Sequence, residues 1–198
     1  SAGLQLPKTI LVHGYFTVNG QKMSKTVGNI IDPNMFIEKY GADSLRYYFL
    51  RELPTFADGD FSEKRFKELY NADLANGLGN LVARVAKLAE SIKYQVSSIK
   101  YQDVYKNNYK NSIEEFRLHD ALATIWETIK TTDQYINDKK PWTLSGEELQ
   151  KILEPAIQNI RTVATQLQPF LPKTAEKILK QFQGPAISSQ PPLFPRIV

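Results

Sequence analysis

Cysteine is absent from this chain of 198 residues, so disulfides and thiolate-held metal centres are excluded. Histidine is nearly absent too. His13 and His119 stand far apart, with no second ligand at metal-site spacing and no partners suited to a nucleophilic triad. No apolar run approaches the ~20 residues that a membrane-crossing helix needs. The first residues, Ser1-Ala2-Gly3-Leu4-Gln5-Leu6-Pro7, lack the basic region and apolar stretch of a signal peptide, so the expected compartment is the cytoplasm. Excess charge is small: 25 lysines and arginines against 21 acidic residues leave a net +4, which admits an anionic partner without identifying nucleic acid. Apolar residues, by contrast, make up 42% of the chain, enough for one generous core or two modest ones, and this excludes a disordered chain.

The densest chemistry lies early. Thr9 to Val18 is rich in strand formers, Asn19-Gly20 is a hairpin-turn pair, and Gly20-Gln21-Lys22-Met23-Ser24-Lys25-Thr26 follows. Lys22 and Lys25 stand three residues apart, with the Ser24 hydroxyl between them and the Thr26 hydroxyl after. Two ammonium groups and several donors can bear on one phosphate chain and stabilise charge moving onto a leaving pyrophosphate. Spacing alone also fits a solvated basic turn. Lys8 to Val18 reads as one or two strands, and the scarcity of other strand candidates implies either that the rest of a sheet lies upstream or that this segment pairs with something small.

From Asp32-Pro33 onward the pattern is helical, with Pro33 suited to a first helical position and Gly41 a stop. A second short helix begins near Ala42 and ends before Pro54, and Thr55 to Phe61 reads as a loop or short edge strand. Ser62 caps what the period predicts to be one long helix, with Leu74, Leu78, Leu81, Val82, Val85, Leu88, Ala89 and Ile92 on its buried face. Tyr94 to Asn111 reads as a long loop or frayed helix. The next stripe is Leu118, Ala121, Leu122, Ile125, Trp126, Ile129 and Ile136, ending before Pro141. Ser145 and Glu148 have capping-box spacing ahead of a third bundle helix that contains Pro155, a candidate kink. A last helix, roughly Lys173 to Phe182, precedes a Ser/Gln/Pro-rich tail. The expected fold is mainly α: residues 1–60 a small α/β unit with the lysine loop, residues 61–198 an α-helical bundle.

Asn76, Asn80 and Arg84 recur at four-residue spacing and align along one side of the long helix, with Asn80 well away from the leucine stripe. Short amides and a guanidinium fork suit the edges of unstacked RNA bases and nearby phosphates. The same ladder is also what any solvated helix face carries. Trp142 directly follows Pro141 at a helix end, where an indole can project to stack on a base or can pack, whereas Trp126 falls on an apolar stripe and reads as core.

Lys22-Met23-Ser24-Lys25-Thr26 resembles the Lys-Met-Ser-Lys-Ser signature of class I aminoacyl-tRNA synthetases, with Thr26 keeping the last hydroxyl and adding a methyl group. Asn71 to Arg84 (NADLANGLGNLVAR), with Lys140-Pro141-Trp142 downstream, resembles the anticodon-binding domain of the methionyl-tRNA synthetase family, and the likeness runs from Leu6-Pro7-Lys8 to Leu193-Phe194-Pro195-Arg196. The resemblance implies ATP and methionine as substrates, Mg²⁺ accompanying the ATP, no tightly held metal, and tRNA(Met) as partner. It implies that Lys22 and Lys25 contact the triphosphate, and that Asn80, Arg84 and Trp142, with Asn76 and Pro141 beside them, read the CAU anticodon. Asp32 to Phe61 resembles that family's stem-contact fold. The family's His-Ile-Gly-His motif, methionine pocket and connective insertion do not occur in these residues, so the segment is expected to be inactive alone. The alternatives are a sister class I enzyme for isoleucine, valine, leucine or cysteine, which the lysine loop cannot separate, and a non-catalytic helical interaction module.

Overall fold

In a computed structural model, Gly3, residues 5–95 and residues 107–197 are described. The described residues are mainly helical, with one three-stranded sheet. β1 (Phe16–Val18) and β2 (Gln21–Lys22) form an antiparallel hairpin pairing Thr17 with Lys22, and β3 (Gly59–Phe61) adds in parallel on the other side of β1. Asn19 and Gly20, at φ 50° and 75°, make the turn, both in the left-handed region that two-residue hairpins need. The strand expected from Lys8 forms only at Phe16. β3 is three residues long, so upstream backbone finds a ladder partner only in scattered bonds such as Gly59 N–H to the Tyr15 carbonyl, 2.9 Å. Leu6, Ile10 and Val12 stay at least three-quarters exposed.

α1 (Pro33–Tyr40) starts where the Asp32 carboxylate accepts the Asn34 N–H at 2.9 Å and stops at Gly41, whose φ of 84° continues no helix. α2 (Ala42–Glu52) carries its sequence in two directions. Tyr48 meets Phe61 and Phe66, its hydroxyl accepting the Ser62 N–H at 3.1 Å, while Tyr47 turns to the bundle. Two polar ties hold α2 to the helices that follow: the buried Asp43 carboxylate accepts both the N–H and the hydroxyl of Thr174, at 2.6 and 2.7 Å, and Arg46 donates to the carbonyls of Pro169 and Phe170.

The predicted long helix is interrupted in register. α3 (Glu63–Leu69) passes into a π-helical stretch, Tyr70–Gly79, and then into α4 (Asn80–Ser91). In the stretch each turn takes an extra residue: the Asn80 N–H reaches the Ala75 carbonyl, five residues back. Gly79 allows it, with Gly77 leaving ordinary room. A β-carbon on Gly79 would stand 2.9 Å from the Leu74 oxygen, and one on Gly77 3.4 Å from the Ala72 oxygen, each again five residues back.

α5 (Asn107–Glu114), α6 (Leu118–Lys139), α7 (Gly146–Leu167) and α8 (Pro172–Gln183) complete the bundle. Of the stretch expected as a loop or frayed helix, residues 96–106 lie outside the described residues, and Asn107 to Asn111 is helical. Leu74, Leu78, Leu81, Val82, Val85 and Ala89 are buried in one core with Leu122, Ile125 and Ile136 of α6 and Leu153, Ile157 and Ile160 of α7, each large side chain contributing ~1.5–3 kcal/mol. Leu88 and Ile92 are only partly buried. Ser145 is the N-cap of α7, but its side chain makes no capping bond; Gly146 enters at φ 56°, and Glu147 and Glu148 supply the favourable first-turn charge instead. Pro155 lies within α7 without ending it. The tail returns to the long helix, where Phe194 packs edge-on to Tyr70 and the Asn71 amide exchanges two hydrogen bonds with the Ile197 backbone.

Candidate lysine loop and nucleic-acid interface

Two side chains that the sequence did not single out fix the lysine loop. The Asp60 carboxylate on β3 accepts the Thr17 hydroxyl at 2.6 Å and the Gly20 N–H at 2.7 Å, clasping the turn from 40 residues away. The Thr17 bond, with the Gly20 amide, holds this carboxyl below its usual range. Asn29 closes the other side: its carbonyl oxygen accepts the Ser24 N–H at 2.8 Å and its amide donates to the Lys22 carbonyl at 3.1 Å. The Gly28 N–H returns to the Ser24 carbonyl, and Thr26 N–H to the Ser24 hydroxyl. The backbone is therefore tied down while the side chains face out. Lys22, Met23, Lys25 and Thr26 are exposed and Ser24 is half-buried. Neither lysine forms an ion pair among the described residues, so both ammonium groups are open to a polyphosphate.

Of the second group of predicted residues, Arg84 bridges α4 to α6 and Asn76 lines a cleft beside Trp126. Gly77 abuts Trp126, and Arg84 reaches Asp133 and Asn137, so the two helices run in the same direction here. Asn76 and Asn80 are exposed, Arg84 half-buried. Arg84 Nη1 donates to the Asn137 oxygen at 2.8 Å and Nη2 to Asp133 Oδ1 at 2.9 Å, while the Asn137 amide donates to Asp133 Oδ2 at 3.1 Å. These three side chains form a closed set. Asn137 stands one half-turn before the end of α6, and Trp142 follows just beyond it.

The chain leaves α6 through Lys140 in the left-handed region (φ 46°, ψ 51°) and makes a single 3₁₀ turn, Pro141–Thr143, in which the Thr143 N–H and hydroxyl both donate to the Lys140 carbonyl. Pro141 is buried, and Trp142 is 54% exposed. Proline anchors the turn and the indole projects. Lys130 lines the cleft beside Trp126, and it, Lys87, Lys139 and Lys140 are exposed and form no ion pair among the described residues.

Trp126 departs from the core assignment. It is only partly buried, stacks on Tyr47 at 4.4 Å and 30°, and lines a cleft of about 490 Å³ with Arg51, Asp73, Asn76 and Lys130. Burial and the neighbouring Asp73, whose carboxylate accepts the Tyr47 hydroxyl at 2.6 Å, push the Tyr47 phenol far above its ordinary value. Among the described residues no group of three His, Asp or Glu side chains is placed to hold a metal ion, and no helix is long and apolar enough to cross a membrane.

A tied loop with two free lysines thus precedes a bundle that presents amides, an arginine and a projecting tryptophan. Family comparison supplies the class: residues 1–86 match the model described as tRNA synthetases class I (M), and residues 100–196 that described as anticodon-binding domain of tRNA ligase. The chain thus carries a class I tRNA synthetase domain followed by an anticodon-binding domain. It is 38% identical to the methionine–tRNA ligase of Thermotoga maritima, over 91% of this chain and 31% of that protein, and 38% identical to that of Bacillus subtilis, over 90% and 30%. Among solved structures, Mycobacterium tuberculosis methionyl-tRNA synthetase in complex with methionyl-adenylate superposes with a TM-score of 0.82 at 29% identity, over 98% of this chain and 45% of that one. The chain spans about 31% of the length of the curated relatives it matches.

Proposed function

We propose that these residues are the part of a cytoplasmic methionine–tRNA ligase that reads the anticodon of tRNA(Met) and carries the lysine loop of the ATP site. The observation that carries this reading is the bridge from Arg84 on α4 to Asn137 near the end of α6, beyond which Trp142 projects from its Pro141 anchor, with Asn80 and Asn76 exposed one and two turns earlier in the chain. The projecting indole offers a stacking surface for an unpaired base, and the asparagine amides match both donors and acceptors on base edges. Lys130, without an ion-pair partner among the described residues, lines the adjoining cleft, and Lys140 stands two residues before Trp142; both suit the phosphates between the bases. Residues 1–60 supply the loop and stem-contact unit, and residues 61–198 the RNA-reading bundle.

In the whole enzyme, methionine and ATP would react to give an aminoacyl-adenylate and pyrophosphate, followed by transfer to tRNA. The open ammonium groups of Lys22 and Lys25 fit the triphosphate and its developing negative charge, and the Ser24 and Thr26 hydroxyls add donors. Mg²⁺, bound with the nucleotide, would supply further charge neutralisation. On this reading the 198 residues by themselves do not catalyse methionine-dependent exchange of pyrophosphate into ATP.

The test is a titration with anticodon stem-loops. The chain binds the CAU hairpin more tightly than a hairpin with the three bases permuted, and Trp142→Ala weakens CAU binding by ~1–3 kcal/mol, about 5- to 140-fold. Equal affinity for both hairpins refutes the assignment.

A further inference from the structure

Asp133 is out of place on a surface that receives RNA. It sits among residues assigned to the anticodon, where a carboxylate repels every approaching phosphate. Stability does not account for it: its pair with Arg84 is partly solvated, with side chains 26% and 37% exposed, and such pairs contribute little to folding. Its geometry does. Asp133 accepts from Arg84 Nη2 with one oxygen and from the Asn137 amide with the other, and Asn137 in turn accepts from Arg84 Nη1. Both terminal nitrogens of the guanidinium are thus held from α6, and the Asp133 backbone carbonyl lies 3.4 Å from Nη2 as a third acceptor.

We propose that Asp133 and Asn137 are positioning residues for Arg84, fixing the plane of its guanidinium before RNA arrives and cancelling its net charge so that it discriminates bases rather than attracting phosphates at large. The role rests on the anticodon reading given above. An arginine on an exposed helix face ordinarily loses rotamer freedom when it binds, a cost that falls on the cognate complex alone when only the cognate base engages the fork. Here that ordering is already present in the free protein. Asp133 and Arg84 together carry no net charge, so the pair adds little to the salt-dependent, sequence-independent attraction that the nearby lysines provide.

The two parts of the role push in opposite directions, which makes them measurable. Asp133→Ala frees the guanidinium and removes a negative charge. Affinity for the CAU hairpin relative to the permuted hairpin falls by about 2- to 12-fold, the range for immobilising one long side chain, while affinity for the permuted hairpin rises. In an Arg84→Ala background, Asp133→Ala leaves the ratio unchanged. Asn137→Ala gives a smaller fall in the same direction. A second readout needs no RNA: hindered rotation gives Arg84 resolved Nη–H signals in ¹⁵N NMR of the unsubstituted chain, and they collapse in Asp133→Ala. An unchanged hairpin ratio in Asp133→Ala, an equal fall when Arg84 is already alanine, or freely rotating Arg84 in the unsubstituted chain overturns the role. Equal affinity of the unsubstituted chain for both hairpins overturns the anticodon reading itself, so the two failures are distinct.

Discussion

Replacing Gly79 by alanine should destabilise the protein, against the usual rule for helices. Inside an α-helix a glycine-to-alanine change is favourable by ~1 kcal/mol, because alanine loses less conformational freedom. At Gly79 the new methyl group would stand 2.9 Å from the Leu74 carbonyl oxygen, a backbone atom that cannot swing aside. Overpacking of this kind costs ~1–3 kcal/mol, so the net effect is a loss of up to ~2 kcal/mol. Gly77 provides the internal control two residues away in the same stretch. Its added methyl group meets the Ala72 oxygen at 3.4 Å and the Trp126 indole nitrogen at 3.9 Å, both ordinary contacts, so Gly77→Ala keeps most of the usual gain. The two variants therefore differ by ~1–3 kcal/mol in urea unfolding followed by circular dichroism, and by ~2–4 °C in Tm for each kcal/mol at this chain length. Equal stability of Gly77→Ala and Gly79→Ala would refute the argument that the π-helical turn depends on a missing β-carbon at Gly79.

Asp43→Ala leaves the buried Thr174 N–H and hydroxyl without their acceptor and is expected to cost ~3–5 kcal/mol in the same unfolding assay, the range for breaking a buried charged contact; a loss below ~1 kcal/mol would contradict it. Alkaline stability depends on Tyr47. Burial, reinforced by Asp73, raises its folded-state pKa above the ordinary 10.0, so its contribution is complete below pH 10 and is lost as pH rises above that value while the unfolded chain ionises. Phenolate absorbance should therefore appear together with unfolding, and Tyr47→Phe should reduce the slope of stability against pH; ionisation of Tyr47 well before unfolding would be inconsistent with its burial.

Helix positions were legible because burial obeys the 3.6-residue period: the stripes through Leu122, Ile125 and Ile136 and through Leu153, Ala156 and Ile160 are buried as the rotation predicts. Punctuation was legible for the same local reason. Pro33, Gly41, Pro54 and Pro172 stand at or beside the helix ends where backbone restriction puts them. The π-helical stretch was not, since a window turned by a constant angle has no place for an added residue, although the pair Gly77 and Gly79 in mid-helix was a visible sign of it. The strand from Lys8 was over-extended because propensity speaks for one chain and a ladder requires two. The exposed residues of the candidate site, Lys22, Lys25, Asn76, Asn80 and Trp142, fit two readings by residue type and spacing, and the family resemblance was what favoured the functional one. Their supports could not be picked out: Asp60, Asn29, Asp133 and Asn137 act across the fold or around a loop, and their distances in sequence, such as 40 residues from Asp60 to Gly20, carry no local pattern.

The adjacent tyrosines of α2 have a mechanical consequence. Tyr47 bears on Trp126 and Asp73 beside the cleft between the π-helical stretch and α6, and Tyr48 bears on the strand that clasps the lysine hairpin. Neighbouring positions on a helix point about 100° apart, so the two surfaces rest on one shaft, roughly 10–12 Å across with its side chains, pinned to α8 by Asp43. A turn of that shaft would be transmitted to both surfaces at once, so α2 works as a gauge block that sets the spacing between the lysine hairpin and the cleft lined by Trp126.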